Sequence, residues 1–353
     1  MQLITDTATL IDWLQPLTPN AVLALDTEFM RERTYSPTLA LVQVCDGQRV
    51  ALLDPTQSLD LNPLIQWLLD PRATKVWHSG RQDLEVLWPW LQSGPSNLWD
   101  TQIGAALMGL KPQMGYAELV HTLLGVTLDK TQTRTNWLLR PLSAEQCAYA
   151  ADDVRFLPPL YDKISEALGK LNRFDWWQQD MQQQSESPII DPELAYERLK
   201  GLDRVPPLVR TRMCLLSIWR EQEAQRLNVP RNWIVDDAGL ERLSREAFPP
   251  PSIWPKIIHP HLKTMPNFSA AEAIAATPVA DDRFTTKALD RPTETEKKRL
   301  NLLRTRLAQI ARDLNLDETF LCQSRQLKAL ARGATVDAVW TGWRVEVLAP
   351  LAL

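Results

Sequence analysis

The sequence contains no long hydrophobic run and only four cysteines, and both absences exclude classes of protein. No stretch of about 18 apolar residues without charge occurs, so a membrane-spanning helix is not expected. The first residues include neither a basic segment nor an apolar segment, so no secretory signal is expected. The cysteines are scattered and form no C-x-x-C pair, which favours reduced, buried thiols in a cytoplasmic protein over a disulfide framework.

A basic overall charge is also missing, because the formal net charge is −4. Residues 1–203 carry 16 Lys and Arg against 26 Asp and Glu, whereas residues 204–353 carry 23 against 17. An acidic half that binds cations, joined to a basic half that holds a polyanion, fits these numbers. The alternative is a chance asymmetry of solvated surface charge.

Two carboxylates stand at the end of a predicted strand. Asp26 and Glu28 follow the apolar run 21–24. Strand side chains alternate, so residues two apart point to the same side of a sheet. Taken alone, this pair could equally belong to a turn at the end of the strand.

A tyrosine and an aspartate share one face of a predicted helix. Ser143 and Gln146 match a capping box that starts this helix. Tyr149 and Asp153 are four residues apart and therefore lie on the same face. Asp152 also neighbours Tyr149, so the spacing by itself leaves two aspartates open.

Together with Asp83, these motifs supply four carboxylates with no histidine or cysteine partner. Oxygen ligands alone favour Mg²⁺ or Mn²⁺ over zinc. Four carboxylates in an apolar site would repel one another, and two divalent cations roughly 3.5–4 Å apart would relieve that repulsion. The pattern predicts metal-dependent hydrolysis of a phosphodiester.

Asp26-x-Glu28, Asp83 and Tyr149-x-x-x-Asp153 together resemble the three-motif signature of DEDD exonucleases of the tyrosine subtype. The flanking residues are similar to those of ribonuclease D, strongly over residues 20–165 and more weakly to the C-terminus. They include Leu25-Asp26-Thr27-Glu28-Phe29-Met30-Arg31, Asp83-Leu84-Glu85-Val86, Asp100-Thr101-Gln102, Leu128-Asp129-Lys130 and Arg140-Pro141-Leu142. The chain departs from the family's frequent Ser-Asp-Trp at Thr135-Asn136-Trp137, which argues against an acidic role at position 136.

The resemblance implies a function and a role for each residue. It implies a 3′–5′ exoribonuclease that releases nucleoside 5′-monophosphates from structured RNA, with tRNA precursors as substrate. Asp26 would bridge two cations, Glu28 and Asp153 would complete the water-activating site, and Asp83 would hold the second cation. Tyr149 would orient the attacking water.

The order of predicted elements indicates the fold class. Apolar runs at 21–26, 39–45 and 50–53, with Asp46-Gly47 between the last two, predict an antiparallel meander. Helix and strand patterns then alternate, which predicts an α/β domain with a mixed sheet. The resemblance identifies it as ribonuclease H-like (DnaQ-like) and implies α-helical HRDC-like domains after it.

Three domains are expected: an exonuclease domain at 1–190, an HRDC-like domain at 204–284 and a second, diverged one at 285–353. This expectation depends on three predicted helices. The first covers about 215–227, the second begins at about Asp237, and the third runs from a capping box at Thr293 to about Leu314. HRDC modules also occur in helicases, but no G-x-x-x-x-G-K-[ST] loop is present, which argues against a motor.

Other residues have weaker indications. Lys130 and Arg134 are expected near the substrate backbone, His78 as a satisfied strand residue, and Asp100 as a helix N-cap. Trp176, Trp177, Trp219 and Trp343 could stack on bases, although most tryptophans are expected in the core.

The sequence therefore predicts a metal-dependent exoribonuclease that binds RNA, needs no protein partner and acts as a monomer. Two alternatives stay open at this stage. A 3′–5′ DNA exonuclease would use the same catalytic residues, and a non-catalytic RNA-binding protein would keep the fold without the chemistry.

Overall fold

The structure, a computed structural model, describes residues 1–128, 135–284 and 292–352. The chain divides into two compact units. Unit 1 contains residues 1–30 and 38–188 together with the C-terminal residues from 296 onward. Unit 2 contains residues 31–37 and 189–295. None of the helices formed by the described residues has the length and apolar character needed to cross a membrane.

A six-stranded mixed sheet forms the centre of unit 1. Its strands are β1 (Gln2–Ile4), β2 (Val22–Met30), β3 (Thr38–Cys45), β4 (Val50–Leu53), β5 (Thr74–Trp77) and β6 (Leu98–Asp100). Their order across the sheet is β1-β4-β3-β2-β5-β6. The pairs β2–β3 and β3–β4 are antiparallel, and the other three pairs are parallel. The predicted α/β class with a mixed sheet is confirmed.

Helices cover both faces of this sheet. In unit 1 they are α1 (Thr7–Leu14), α2 (Asn62–Leu69), α3 (Arg81–Leu91), α4 (Thr101–Leu107), α5 (Tyr116–Leu124), α6 (Ala144–Arg155), α7 (Leu157–Lys170) and α8 (Phe174–Gln184). One apolar cluster packs α1, α2 and α3 against one face of the sheet, and another packs α6 against the opposite face. Strand β3 is buried along almost its whole length, as expected of a strand covered on both sides.

Local sequence signals set several of these boundaries. Asp46 accepts hydrogen bonds from the backbone N–H groups of Gln48 (3.0 Å) and Arg49 (2.6 Å), and so closes the turn between β3 and β4. Both bonds of the predicted capping box between Ser143 and Gln146 are present at the start of α6. β1, α1 and β6 were not predicted from the sequence.

Unit 2 is formed around one long helix. Its helices are α9 (Pro207–Leu227), α10 (Arg231–Ile234), α11 (Asp237–Arg245) and α12 (Phe268–Ala275), with 3₁₀ turns at Pro192–Arg198, Leu202–Arg204, Pro251–Lys256 and Asp282–Phe284. Residues 31–37 belong to this unit through Tyr35, whose hydroxyl donates to Glu221 on α9 (2.7 Å). The amide of Asn228 accepts from the backbone N–H of Tyr35 (3.1 Å).

The C-terminal segment packs within unit 1. It forms α13 (Glu294–Leu314), α14 (Glu318–Leu321), α15 (Ser324–Ala331), α16 (Val336–Val339), α17 (Trp343–Val347) and a 3₁₀ turn at Ala349–Leu351. The rings of Trp176 and Trp343 stack with centroids 4.3 Å apart, and Arg344 forms an ion pair with Asp180. Trp177, Trp219 and Trp343 are buried, so these three rings are core residues and are not exposed for stacking on bases.

Candidate active site

Asp26 and Glu28 lie on β2 where its pairing with β3 is interrupted. Glu28 pairs with Leu41 and the next residue, Phe29, pairs with Leu39, so Ala40 is an extra residue in β3. Such a bulge bends the strand and changes the direction of nearby side chains, and bulges are frequent beside active sites. The bulge therefore lies at the point where β2 carries its second carboxylate.

One guanidinium holds this bulge in place. Arg140 donates to the carbonyl oxygen of Ala40 (2.7 Å) and forms two hydrogen bonds with the carboxylate of Asp54 (2.5 and 2.7 Å). It also donates to the carbonyl oxygen of Trp137 (2.6 Å). Asp54 is almost completely buried, and bidentate pairing of this kind fixes geometry as well as charge. The sequence indicated Arg140 only as part of a family motif and gave it no role.

Asp83 lies in the first turn of α3, where the helix dipole favours an anion. The hydroxyl of Thr27 on β2 donates a short hydrogen bond to its carboxylate. The start of α3 is held by Asp100, whose carboxylate accepts from the backbone N–H groups of Ser79 (2.9 Å) and Gly80 (3.1 Å). Asp100 also caps α4, so its predicted N-cap role is confirmed and extended.

Tyr149 and Asp153 lie on α6, one helical turn apart. Burial, followed by the charge of Asp153, raises the pKa of the Tyr149 phenol above its usual value. The ring of Tyr149 packs against the buried ring of Trp137, with centroids 6.1 Å apart. Asp152 instead forms an ion pair with Arg155 (3.0 Å).

Burial and neighbouring charges raise the pKa of all four carboxylates. Burial, followed by the charges of Asp153 and Asp83, raises the pKa of Glu28 to about 8. Burial and then Asp152 raise the pKa of Asp153 to about 7, and burial raises that of Asp83 to about 6. For Asp26, burial is the largest cause, and the other three carboxylates add to it. The hydrogen bond between Thr27 and Asp83 joins β2 to α3, and the charge of Asp153 acts on Asp26 and Glu28. The three motifs therefore lie in one region, although they are separated by up to 127 positions in the sequence.

The chemistry of this donor set fits hard divalent cations. All donors are carboxylate oxygens, and a cation would remove the repulsion that raises their pKa values. Within the described ranges, no group of three or more His, Cys, Asp or Glu side chains is already arranged to hold an ion.

Two other expectations concern residues outside this group. Both ring nitrogens of His78 have partners, the Thr101 hydroxyl (2.9 Å) and the Met114 carbonyl oxygen (3.0 Å), so His78 is a satisfied residue as predicted. Lys130 and Arg134 lie outside the described residues.

One buried polar residue beside the site was missed, Gln43 of β3. The signal for it was present, because Gln43 is the one polar residue in the apolar run 39–45.

Comparisons with known proteins identify the family and the fold of this chain. Residues 1–169 match a family model described as a 3′–5′ exonuclease. Exonuclease domains of this fold family depend on divalent metal ions.

Two curated relatives match nearly the whole chain. A ribonuclease D from Sphingobium indicum is 35% identical over 98% of this chain and 91% of its own length. A ribonuclease D from Xanthomonas oryzae pv. oryzae is 34% identical over 98% of this chain and 95% of its own length.

Among solved structures, the crystal structure of Escherichia coli RNase D, an exoribonuclease involved in structured RNA processing, is similar with a TM-score of 0.84. It is 27% identical, and the match covers 99% of this chain and 98% of that one. The alternatives of a DNA exonuclease and of a non-catalytic protein have no comparable support. The chain belongs to the ribonuclease D family and is a 3′–5′ exoribonuclease.

Proposed function

We propose that Asp26, Glu28, Asp83 and Asp153 hold two divalent cations, Mg²⁺ or Mn²⁺, and that Tyr149 acts beside them on the 3′ end of an RNA. The observation that carries this proposal is the hydrogen bond from Thr27, between Asp26 and Glu28 on β2, to Asp83 of α3, together with the raised pKa of all four buried carboxylates. Carboxylates that are not used in pairs or with cations are rarely clustered in this way, because burial of like charges is unfavourable.

Each side chain has a distinct task in this proposal. The carboxylates bind the cations and fix their positions relative to β2, α3 and α6. When bound, the cations lower the pKa of water and neutralise charge on the phosphodiester. Burial and the neighbouring carboxylates raise the pKa of Tyr149 above its usual value, so its phenol stays neutral at pH 7 and can orient water by hydrogen bonding.

The RNA substrate is proposed to be a tRNA precursor with a free 3′ end, cleaved by a cytoplasmic monomer. The net positive charge of residues 204–353 supports contacts between this part of the sequence and RNA phosphates. We also propose that residues 204–284 and 285–353 are HRDC-like domains that bind RNA beyond the active site, and that Lys130 and Arg134 contact its backbone.

The test is a denaturing gel with 5′-labelled tRNA precursor in Mg²⁺, Mn²⁺ or EDTA. We expect a ladder that shortens from the 3′ end only when a divalent cation is present. A 3′-phosphate on the same RNA should block it, and a DNA of the same sequence should be cleaved more slowly. An unrelated structured RNA of equal length measures the preference for tRNA.

Asp153→Asn and Asp152→Asn form the matched pair of variants. The two aspartates are adjacent on α6, but the charge of Asp153 raises the pKa values of Asp26 and Glu28, whereas Asp152 pairs with Arg155. Loss of the ladder in Asp153→Asn alone supports the site. Equal activity of both variants, or full activity of the wild type in EDTA, contradicts it.

A further inference from the structure

A buried glutamine amide lies next to Asp26 in the sheet. Gln43 of β3 is the cross-strand partner of Asp26 of β2, and it is 0% exposed. Side chains of directly paired residues point to the same face, with Cβ atoms about 4.5–5.5 Å apart. Neither Oε1 nor Nε2 of Gln43 has a hydrogen-bond partner among the residues that the structure describes.

The surroundings of this amide are otherwise apolar. Gln43 pairs on its other side with Leu52 of β4. Leu52 belongs to the apolar cluster between the sheet and α6, together with Leu41, Ala150 and Val154. A leucine or methionine at position 43 would therefore suit the packing of this layer better than a glutamine does.

Burial of an amide without a partner is unfavourable, so each such group in a folded protein calls for a physical reason. The nearest polar group by register is the carboxylate of Asp26. Carboxylates that bind metals are themselves usually held by hydrogen bonds from neighbouring residues, and loss of such a neighbour typically costs about 10–100-fold in metal affinity or activity.

We propose that Gln43 is a positioning residue for Asp26, and that its Nε2–H donates a hydrogen bond to the Asp26 carboxylate when that carboxylate binds a divalent cation. This inference rests on the proposed metal site. The glutamine side chain has three rotatable bonds, and its reach matches the spacing of a cross-strand pair. The amide would thus stabilise the carboxylate while a cation is bound to it.

The test compares Gln43→Met with Leu52→Met. Both variants place methionine in the same layer, on neighbouring strands, but only the first removes the amide. Mn²⁺ affinity is measured by titration calorimetry without RNA, and the melting temperature is measured in EDTA. We expect Gln43→Met to bind Mn²⁺ about 10–100-fold more weakly than the wild type. Its melting temperature in EDTA should equal or exceed that of the wild type, because an unpaired amide has been removed.

Two results would overturn the inference. One is an Mn²⁺ affinity of Gln43→Met within twofold of that of Leu52→Met. The other is a melting temperature of Gln43→Met in EDTA that is lower than that of the wild type, so that loss of folded protein explains the weaker binding. If the wild type itself fails to bind Mn²⁺, the proposed metal site is wrong, and this outcome is distinct from either of these.

A second measurement does not depend on the stability of a variant. In the ¹⁵N-labelled wild-type protein, the side-chain NH₂ resonances of Gln43 should move downfield as Mg²⁺ is added, with the same midpoint as a calorimetric titration with Mg²⁺. Resonances that do not move would also overturn the inference. Assignment uses Gln43→Met, or Gln43→Asn where the first variant does not fold.

Discussion

Replacement of Glu28 by glutamine should stabilise the cation-free protein while it removes activity. Burial and the charges of Asp153 and Asp83 raise the pKa of Glu28 to about 8 in the folded state. The unfolded chain has an ordinary glutamate, which is ionised well below pH 7. Between pH 5 and pH 8 the folded protein therefore holds more protons at this position than the unfolded protein does.

The sign follows from proton linkage. Where the folded state binds more protons, the free energy of unfolding falls as the pH rises. A pKa that moves from 4.5 to about 8 sets an upper limit of ~5 kcal/mol, at ~1.36 kcal/mol for each pKa unit. Because neighbouring carboxylates titrate together and share this cost, we expect ~1–2 kcal/mol from Glu28 alone. Glutamine keeps the shape and cannot ionise, so this penalty disappears.

The assay is urea denaturation in EDTA at pH 5 and pH 8. Glu28→Gln should exceed the wild type in unfolding free energy by ~1–2 kcal/mol at pH 8 and by much less at pH 5. Glu166→Gln is the control, because Glu166 is an exposed carboxylate paired with Lys170 at 2.6 Å. Saturating Mg²⁺ should reverse the order, since a cation at 100 times its dissociation constant adds ~2.7 kcal/mol to the protein that binds it. A variant less stable than the wild type at pH 8 in EDTA would refute the reasoning.

Three further changes have distinct expected outcomes. Asp153→Asn should lower kcat by at least about 100-fold, whereas Asp152→Asn should stay within about threefold, as measured by release of nucleotides under saturating RNA. Tyr149→Phe should lower kcat by about 10–100-fold with Mn²⁺ affinity unchanged by calorimetry, and weakened Mn²⁺ binding would contradict a role in orienting water. Asp54→Asn should lower the free energy of unfolding by ~3–5 kcal/mol, because it leaves the partly buried guanidinium of Arg140 without its counter-charge. A decrease below ~1 kcal/mol in urea denaturation would argue that this pair does not support the bulge.

The parts of the site that follow from short-range rules were predictable from the sequence. The capping box at Ser143 starts α6, and the helical period then places Tyr149 and Asp153 on one face. Asp26 and Glu28 share a side of β2 because strand side chains alternate. Helical spacing alone could not decide whether Asp152 or Asp153 acts with Tyr149. The resemblance to a known family selected Asp153.

The parts that depend on distant contacts were not predictable in the same way. Register decides which residue stands opposite Asp26, so the position of Gln43 could be known only once β2 and β3 were paired. The packing of Trp343 on Trp176 joins residues 167 positions apart, and no local pattern indicates it. The C-terminal helices were predicted as such, but their membership in unit 1 depends on contacts of this kind.

The bulge in β3 is stabilised by residues that are distant from it in the sequence. Ala40 is an extra residue in β3, so its carbonyl oxygen is displaced from the regular ladder at the level of Glu28. Arg140, from the loop before α6, binds this oxygen and is itself fixed by Asp54, which follows β4. Through its guanidinium, Arg140 therefore connects β3, the residue after β4 and the loop before α6. Since α6 carries Tyr149 and Asp153, a loss of the pair between Arg140 and Asp54 would act on both sides of the candidate active site at once.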